Sequence, residues 1–280
     1  MIEVEHTLGE AAPKGRPLVR LSTGVQPWAL LGLRSRWFWV AGQLVLAAAL
    51  VFLYFRVRGL TEGSPALAQR HAAEVIALEQ WLGIDGALGL QHQLQQVLLG
   101  FPFAVTVANW VYIWAHWPVI IATAVWLAVR RPDVFRRLRD AMTISGAVGM
   151  VVFAAYPLAP PRLVDAGLVD TVSDQSVAYR VLQPPAFVNQ YAAMPSLHAG
   201  WDLLIGIALV TAASGILLRV VGCVLPVLMA VAVVATANHY LLDVVAGLAL
   251  VLVSHAVAIR LERRRTVRSA TAPVRVTHRS

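Results

Sequence analysis

Six apolar runs, 37–55, 103–129, 141–157, 197–213, 216–237 and 241–259, constrain this chain more than any other feature of its sequence. Each approaches or exceeds the about 17–25 residues that an α-helix needs to cross the hydrocarbon core of a bilayer. Within lipid the backbone must satisfy its own hydrogen bonds, so such runs fold as helices. The expected fold is all-α: a polytopic membrane protein built as a six-transmembrane-helix bundle. Composition agrees, because 58% of the 280 residues are hydrophobic and only 14% are charged. A soluble domain would carry roughly a quarter charged residues.

The formal charge of +8 does not read as a nucleic-acid footprint, because the basic residues sit in short clusters between apolar runs. With six spans, 18 of the 23 basic residues fall on the side that holds both termini and the loops 130–140 and 214–215. The positive-inside rule makes that side cytoplasmic, and the expected location is the plasma (inner) membrane. The run 103–129 is long and contains Pro118; as two short spans it would carry the basic N-terminal tail outside, so one kinked span is expected. The organisation that follows is a cytoplasmic tail (1–36), a first span with extracytoplasmic amphipathic helices (37–100), a catalytic core (101–260) and a basic cytoplasmic tail (261–280). Two amphipathic helices at the interface are expected within 60–100. Leu67, Val75, Leu78 and Leu82 would share one apolar face, and Leu90, Leu94, Val97 and Phe101 the other. The lone Cys223 excludes an intramolecular disulfide and reads as a small buried apolar residue.

Polar groups at the ends of spans are costly and become candidates for function. Three clusters fall on the same outer face. Arg162 follows the third span, Ser196 and His198 open the fourth, and His239 and Asp243 lie between the fifth and sixth. His239 and Asp243 are spaced i, i+4, which on a helix brings carboxylate and imidazole within reach. A carboxylate on one ring nitrogen leaves the other as base or nucleophile. Ser196 suits a helix N-cap, whose backbone N–H groups make an anion site. His198 in that first turn can protonate a leaving group, and Arg162 offers a planar fork to phosphate. These groups describe phosphoryl transfer through a phosphohistidine.

The motifs Pro195-Ser196-Leu197-His198 and His239-Tyr240-Leu241-Leu242-Asp243 resemble those of the type-2 phosphatidic acid phosphatase (PAP2) superfamily. Their flanks, with Ala159-Pro160-Pro161-Arg162, are most similar to the branch of inositol phosphorylceramide synthases and bacterial relatives. The resemblance implies that His239 is the nucleophile, Asp243 its orienter and His198 the acid, with Arg162 and Ser196 on the phosphate. Ala155 and Val233 stand where the family's pattern has a lysine and an arginine, so two usual phosphate cations are missing. Candidate replacements are Asn109, Tyr112 and His116, which share a face of the second span, together with Tyr191 and Arg180 of the outer loop. Asp202, one turn below His198, is placed to hold the second nitrogen of that histidine.

No cofactor is expected. A metal site is the rival use for two histidines and a carboxylate, but arginine, serine and a helix N-terminus form an anion pocket. The expected function is a lipid-phosphate phosphatase acting on a phospholipid or polyprenyl phosphate of the outer leaflet. The alternatives are a phosphotransferase that moves a phospho-headgroup to an alcohol such as inositol or a sugar, and a transporter or scaffold without catalysis.

Overall fold

The computed structural model describes residues 33–60, 63–84, 89–172 and 189–271. The chain divides into compact units Met1–Trp39 and Val40–Ser280, and apart from residues 33–39 of the first helix everything that follows lies in the second. The described residues are helical, with a single isolated bridge between Leu158 and Ala192 in place of any strand. In chain order the helices are α1 (Leu33–Leu60), α2 (Pro65–Trp81), α3 (Leu90–Leu99), α4 (Pro102–Trp114), α5 (Trp117–Arg130), α6 (Pro132–Ala155), α7 (Leu197–Ala212), α8 (Ile216–Ala235) and α9 (Leu241–Thr271).

Four helices are long and apolar enough to cross a membrane: Trp37–Arg56, Pro132–Ala155, Ile216–Ala235 and Leu241–Val267. A fifth is counted if α3 and α4, bent by 117° at their junction, are taken as one. Six spans were expected. The difference lies in α5 and α7, which have 14 and 16 residues. A 16-residue helix rises only about 24 Å, against a hydrocarbon core of about 30 Å. The run 103–129 is interrupted rather than merely tilted: α4 ends at Trp114, and His116 leaves helical geometry (φ −91°, ψ −88°) ahead of Pro118.

Short as it is, α7 is the centre of the fold, packed on α6, α8 and α9 and buried around nearly its whole circumference. Glycines allow this close packing, as small residues do between membrane helices. A Cβ on Gly206 would sit 2.3 Å from the Gly222 carbonyl oxygen of α8, and one on Gly200 would lie 2.8 Å from Val251 of α9.

Several boundaries correct the sequence reading. The expected loop 130–140 is the start of α6, with Arg131 alone joining it to α5. The described part of the basic tail continues α9 to Thr271. Arg137 of α6 meets Glu262 of α9 at 2.8 Å, and Arg265 meets Asp140 at 2.7 Å. Helices α6 and α9 are therefore antiparallel neighbours with an ion-pair network at one end. Cys223 is exposed on α8, not buried.

The amphipathic helices are present, and most of the leucines expected on their apolar faces are exposed. Helix α2 buries Ala68, Ala72, Val75 and Glu79, while Leu67, Leu78 and Leu82 are exposed. Helix α3 buries Gln91 and Gln95 and leaves Leu90, Val97 and, just past its end, Phe101 exposed, with Leu94 partly buried. Next to lipid the apolar faces can point outward, and the polar groups turn in to satisfy backbone that would otherwise be unpaired.

Candidate active site

Past α6 the chain runs extended through Leu158 and Ala159 and turns at a 3₁₀ helix, Pro161–Leu163. The first two amphipathic helices clasp this segment. His71 Nδ1 donates to the Pro157 carbonyl at 2.8 Å, His92 Nε2 to Ala166 at 3.0 Å, and Gln95 Nε2 to Val169 at 3.0 Å. These bonds carry the segment to the turn before α9, where the Arg162 N–H donates to the Ala237 carbonyl at 3.0 Å. The Arg162 guanidinium is held at both edges: Nη1 donates to Asn238 Oδ1 at 2.7 Å, and Nε lies 3.4 Å from Asp170 Oδ2. Such pairing orients the fork before any anion arrives.

Ser196 is the N-cap of α7, with its Oγ accepting from Ala199 N at 3.4 Å. The residue is fully buried, and its side chain caps the helix. Leu197 and His198, the first two residues of the helix, do line it, and the positive end of α7 thus faces the cavity. The His198 ring stacks on Tyr112 with centroids 4.7 Å apart and lies 4.3 Å from that of His116.

The turn joining α8 to α9 is set by Ala237 at φ 55°, a left-handed conformation rare for a residue with a Cβ. It closes α8 in the manner of a Schellman end, with Ala237 N donating to Val234 O and Asn238 N to Val233 O, both at 3.0 Å. His239 therefore precedes α9 and is not on a helix face shared with Asp243, as the spacing implied. Asp243, in the first turn of α9, reaches back: its Oδ2 accepts from Tyr240 N at 2.9 Å and lies 3.4 Å from His239 Nδ1. One carboxylate thus caps the helix and lies against the imidazole. Helix α7 is tied to the same place by Ser196 N, which donates to the Asp243 carbonyl at 2.9 Å.

Arg162, His198 and His239 line one cavity, and Asp243 stands behind His239. The two histidine rings lie 6.0 Å apart between centroids. Tyr112 lines it too. The other candidates are placed differently. Asn109 exchanges hydrogen bonds with Thr171, donating from Nδ2 to its carbonyl at 2.8 Å and accepting from its hydroxyl at 3.2 Å, and so ties α4 to the segment that follows Arg162. Tyr191 packs against the apolar cluster that includes Ala68, Ala72 and Tyr240, and its carbonyl accepts from Leu158 N. Asp202 pairs with His116 at 2.8 Å, not with His198. Arg180 lies outside the described residues.

Sequence reasoning missed the polar supports. Glu79, fully buried, accepts from Leu242 N at 2.7 Å and caps α9 from another helix. Gln95 also donates to the Ala235 carbonyl at 3.2 Å, and Gln91 to that of His239 at 3.4 Å. The i, i+4 spacing of Gln91 and Gln95 was the available signal. Asn189, Gln190 and Asn238 add amides to the cavity wall. Trp201 is buried, donating to Ser145 Oγ at 3.1 Å and lying parallel to His116 at 6.1 Å. Ala155 is exposed and Val233 fully buried, so neither position supplies a cation. Among the described residues lining the cavity, Arg162 is the one arginine.

An arginine, a helix N-terminus and two imidazoles can bind a tetrahedral anion, attack it and protonate what leaves. Among the described residues no group of three or more His, Cys, Asp or Glu is placed to hold a metal ion. A family model described as the PAP2 superfamily matches residues 73–257. No curated protein and no solved structure matches the chain.

Proposed function

The chain belongs to the PAP2 superfamily, and from that premise we propose that it is a membrane lipid-phosphate phosphatase working through a phosphohistidine. The observation that carries the reading is the placement of His198 and His239 on one cavity wall, 6.0 Å apart, with Asp243 3.4 Å behind His239 Nδ1. Asp243 turns Nδ1 inward and leaves Nε2 to attack phosphorus. His198 gives its proton to the departing lipid oxygen as the P–O bond breaks and the N–P bond forms. Water, deprotonated by His198, then attacks the phosphohistidine, releasing phosphate and restoring both imidazoles. Arg162 and the start of α7 hold the phosphoryl oxygens throughout.

A second reading, transfer to an alcohol acceptor, is favoured by the amides of Asn189, Gln190 and Asn238 at the cavity. A polyol could be oriented there in place of water.

The proposed site faces the outside of the cell, so the substrate is a lipid of the outer leaflet of the plasma membrane. Two observations support this. Arg137, Arg139 and Arg265 gather at the far ends of α6 and α9, and from Asp243 to Glu262 α9 rises about 28 Å, near one hydrocarbon thickness.

The test is a panel of lipid phosphates incubated with purified protein, with and without inositol or sugar acceptors, scoring phosphate release and headgroup transfer separately. We expect His239→Ala to abolish both, along with an acid-labile phosphoprotein trapped in wild type. Near-normal turnover in His239→Ala would remove the mechanism.

A further inference from the structure

A second imidazole–carboxylate pair lies beneath the first. His116 Nδ1 is 2.8 Å from Asp202 Oδ1, with His116 2% exposed and Asp202 fully buried. Asp202 Oδ2 is buried without a hydrogen-bond partner. Packing alone is a weak reason for such a pair, since apolar residues of similar volume usually serve stability as well or better.

Its position is specific. The chain breaks between α4 and α5 at His116, which puts that ring between His198 at 4.3 Å and Trp201 at 6.1 Å. Asp202 is one turn along α7 from His198, so the pair buttresses the proposed acid from both its own helix and the neighbouring break. His198 is thereby flanked by two imidazole–carboxylate pairs, His116–Asp202 and His239–Asp243.

We infer that His116 and Asp202 form a positioning pair that fixes the His198 ring for delivery of its proton to the leaving group. Asp202 holds Nδ1 of His116 at 2.8 Å, and the ring so fixed lies 4.3 Å from that of His198, which Tyr112 covers at 4.7 Å. Packed between these rings, His198 is restricted in how it can turn before it donates. The other titratable groups facing His198 are Tyr112, which stacks on it, and His239, with Arg162 and Tyr54 lining the same cavity and Asp243 behind His239.

The inference rests on the proposed role of His198, and the test separates the two. Purified full-length wild type, Asp202→Asn, His116→Gln and His198→Ala are assayed on dodecyl phosphate, a poor leaving group, and on nitrophenyl phosphate, a good one. Thermal unfolding is measured alongside. Both Asp202→Asn and His116→Gln remove the imidazole–carboxylate pair, so both are expected to lose about tenfold more rate on the alkyl than on the aryl substrate. Should Asp202→Asn fail to fold, His116→Gln, whose amide can still donate to Asp202, carries the test. Losses equal on both substrates overturn the pair's role. If His198→Ala itself shows no leaving-group dependence, the reading of His198 falls instead.

Discussion

Gly247→Ala adds one methyl group where the fold has no room for it. Its Cβ would stand 2.2 Å from the Ser196 carbonyl oxygen, 2.9 Å from the Ser196 carbonyl carbon and 3.1 Å from the Ser196 nitrogen, all backbone atoms. Ordinary contacts need about 3.5 Å, so α9 and the start of α7 must part by roughly 1 Å. The Ser196 N–H bond to the Asp243 carbonyl, 2.9 Å long, is the first to stretch. Overpacking costs about 1–3 kcal/mol, but alanine regains about 1 kcal/mol of helix propensity, so the net loss of stability is modest. The kinetic loss is not. His198 rides on α7 and Asp243 on α9, and a misplacement of about 1 Å between reacting groups costs on the order of 100-fold in rate. The expected signature is therefore activity falling far more than thermal stability, measured on lipid-phosphate hydrolysis and unfolding in the same detergent. Gly42→Ala, with nothing within 4 Å of the added methyl, is the control and should change neither. A Gly247→Ala enzyme with wild-type turnover would refute the argument that this contact sets the spacing of the site.

Glu79→Ala leaves Leu242 N without its acceptor and should lower stability by about 1–3 kcal/mol with a larger loss of activity, while Glu79→Gln, which keeps an acceptor oxygen, should recover most of both in unfolding and rate assays. Activity is expected to persist in excess chelator and to be inhibited by vanadate, which mimics pentacoordinate phosphorus; loss on chelation with recovery on adding Mg²⁺ or Zn²⁺ would show the anion pocket to be misread. In a Cys223→Ser background, Asp165→Cys should react with an impermeant maleimide in intact cells and Thr266→Cys only after lysis. The opposite labelling pattern would put the site on the cytoplasmic face and end the outer-leaflet proposal.

Much of this protein is legible in its sequence because lipid imposes few solutions. The apolar runs had to be helices, and the clusters at Arg162, at Ser196–His198 and at His239–Asp243 stood out because polar groups there are expensive. Burial was less legible: α7 ends at Ala212, within one residue of its apolar run, yet such a run does not say whether lipid or protein will cover it. Which residues of α2 and α3 face the protein was hidden for the same reason. Amphipathicity tells that two faces differ, and only the surroundings decide which one turns inward. Here the inward surroundings are the carbonyls of Val169, Ala235 and His239, so Gln91 and Gln95 face the protein and the leucines face out.

The sequence by itself determined the chemistry available and the helical solution, since both follow from residue type and local spacing. Tertiary structure decided who pairs with whom. Asp202 was assigned to His198 on helical spacing, yet a break at His116, on another helix pair, brings a different imidazole to 2.8 Å. Likewise Ala237 at φ 55° takes His239 off the helix, and Asp243 meets it by folding back rather than along a face. Periodicity records neighbours within one element, whereas these contacts join segments far apart in sequence and exist only once the helices have packed.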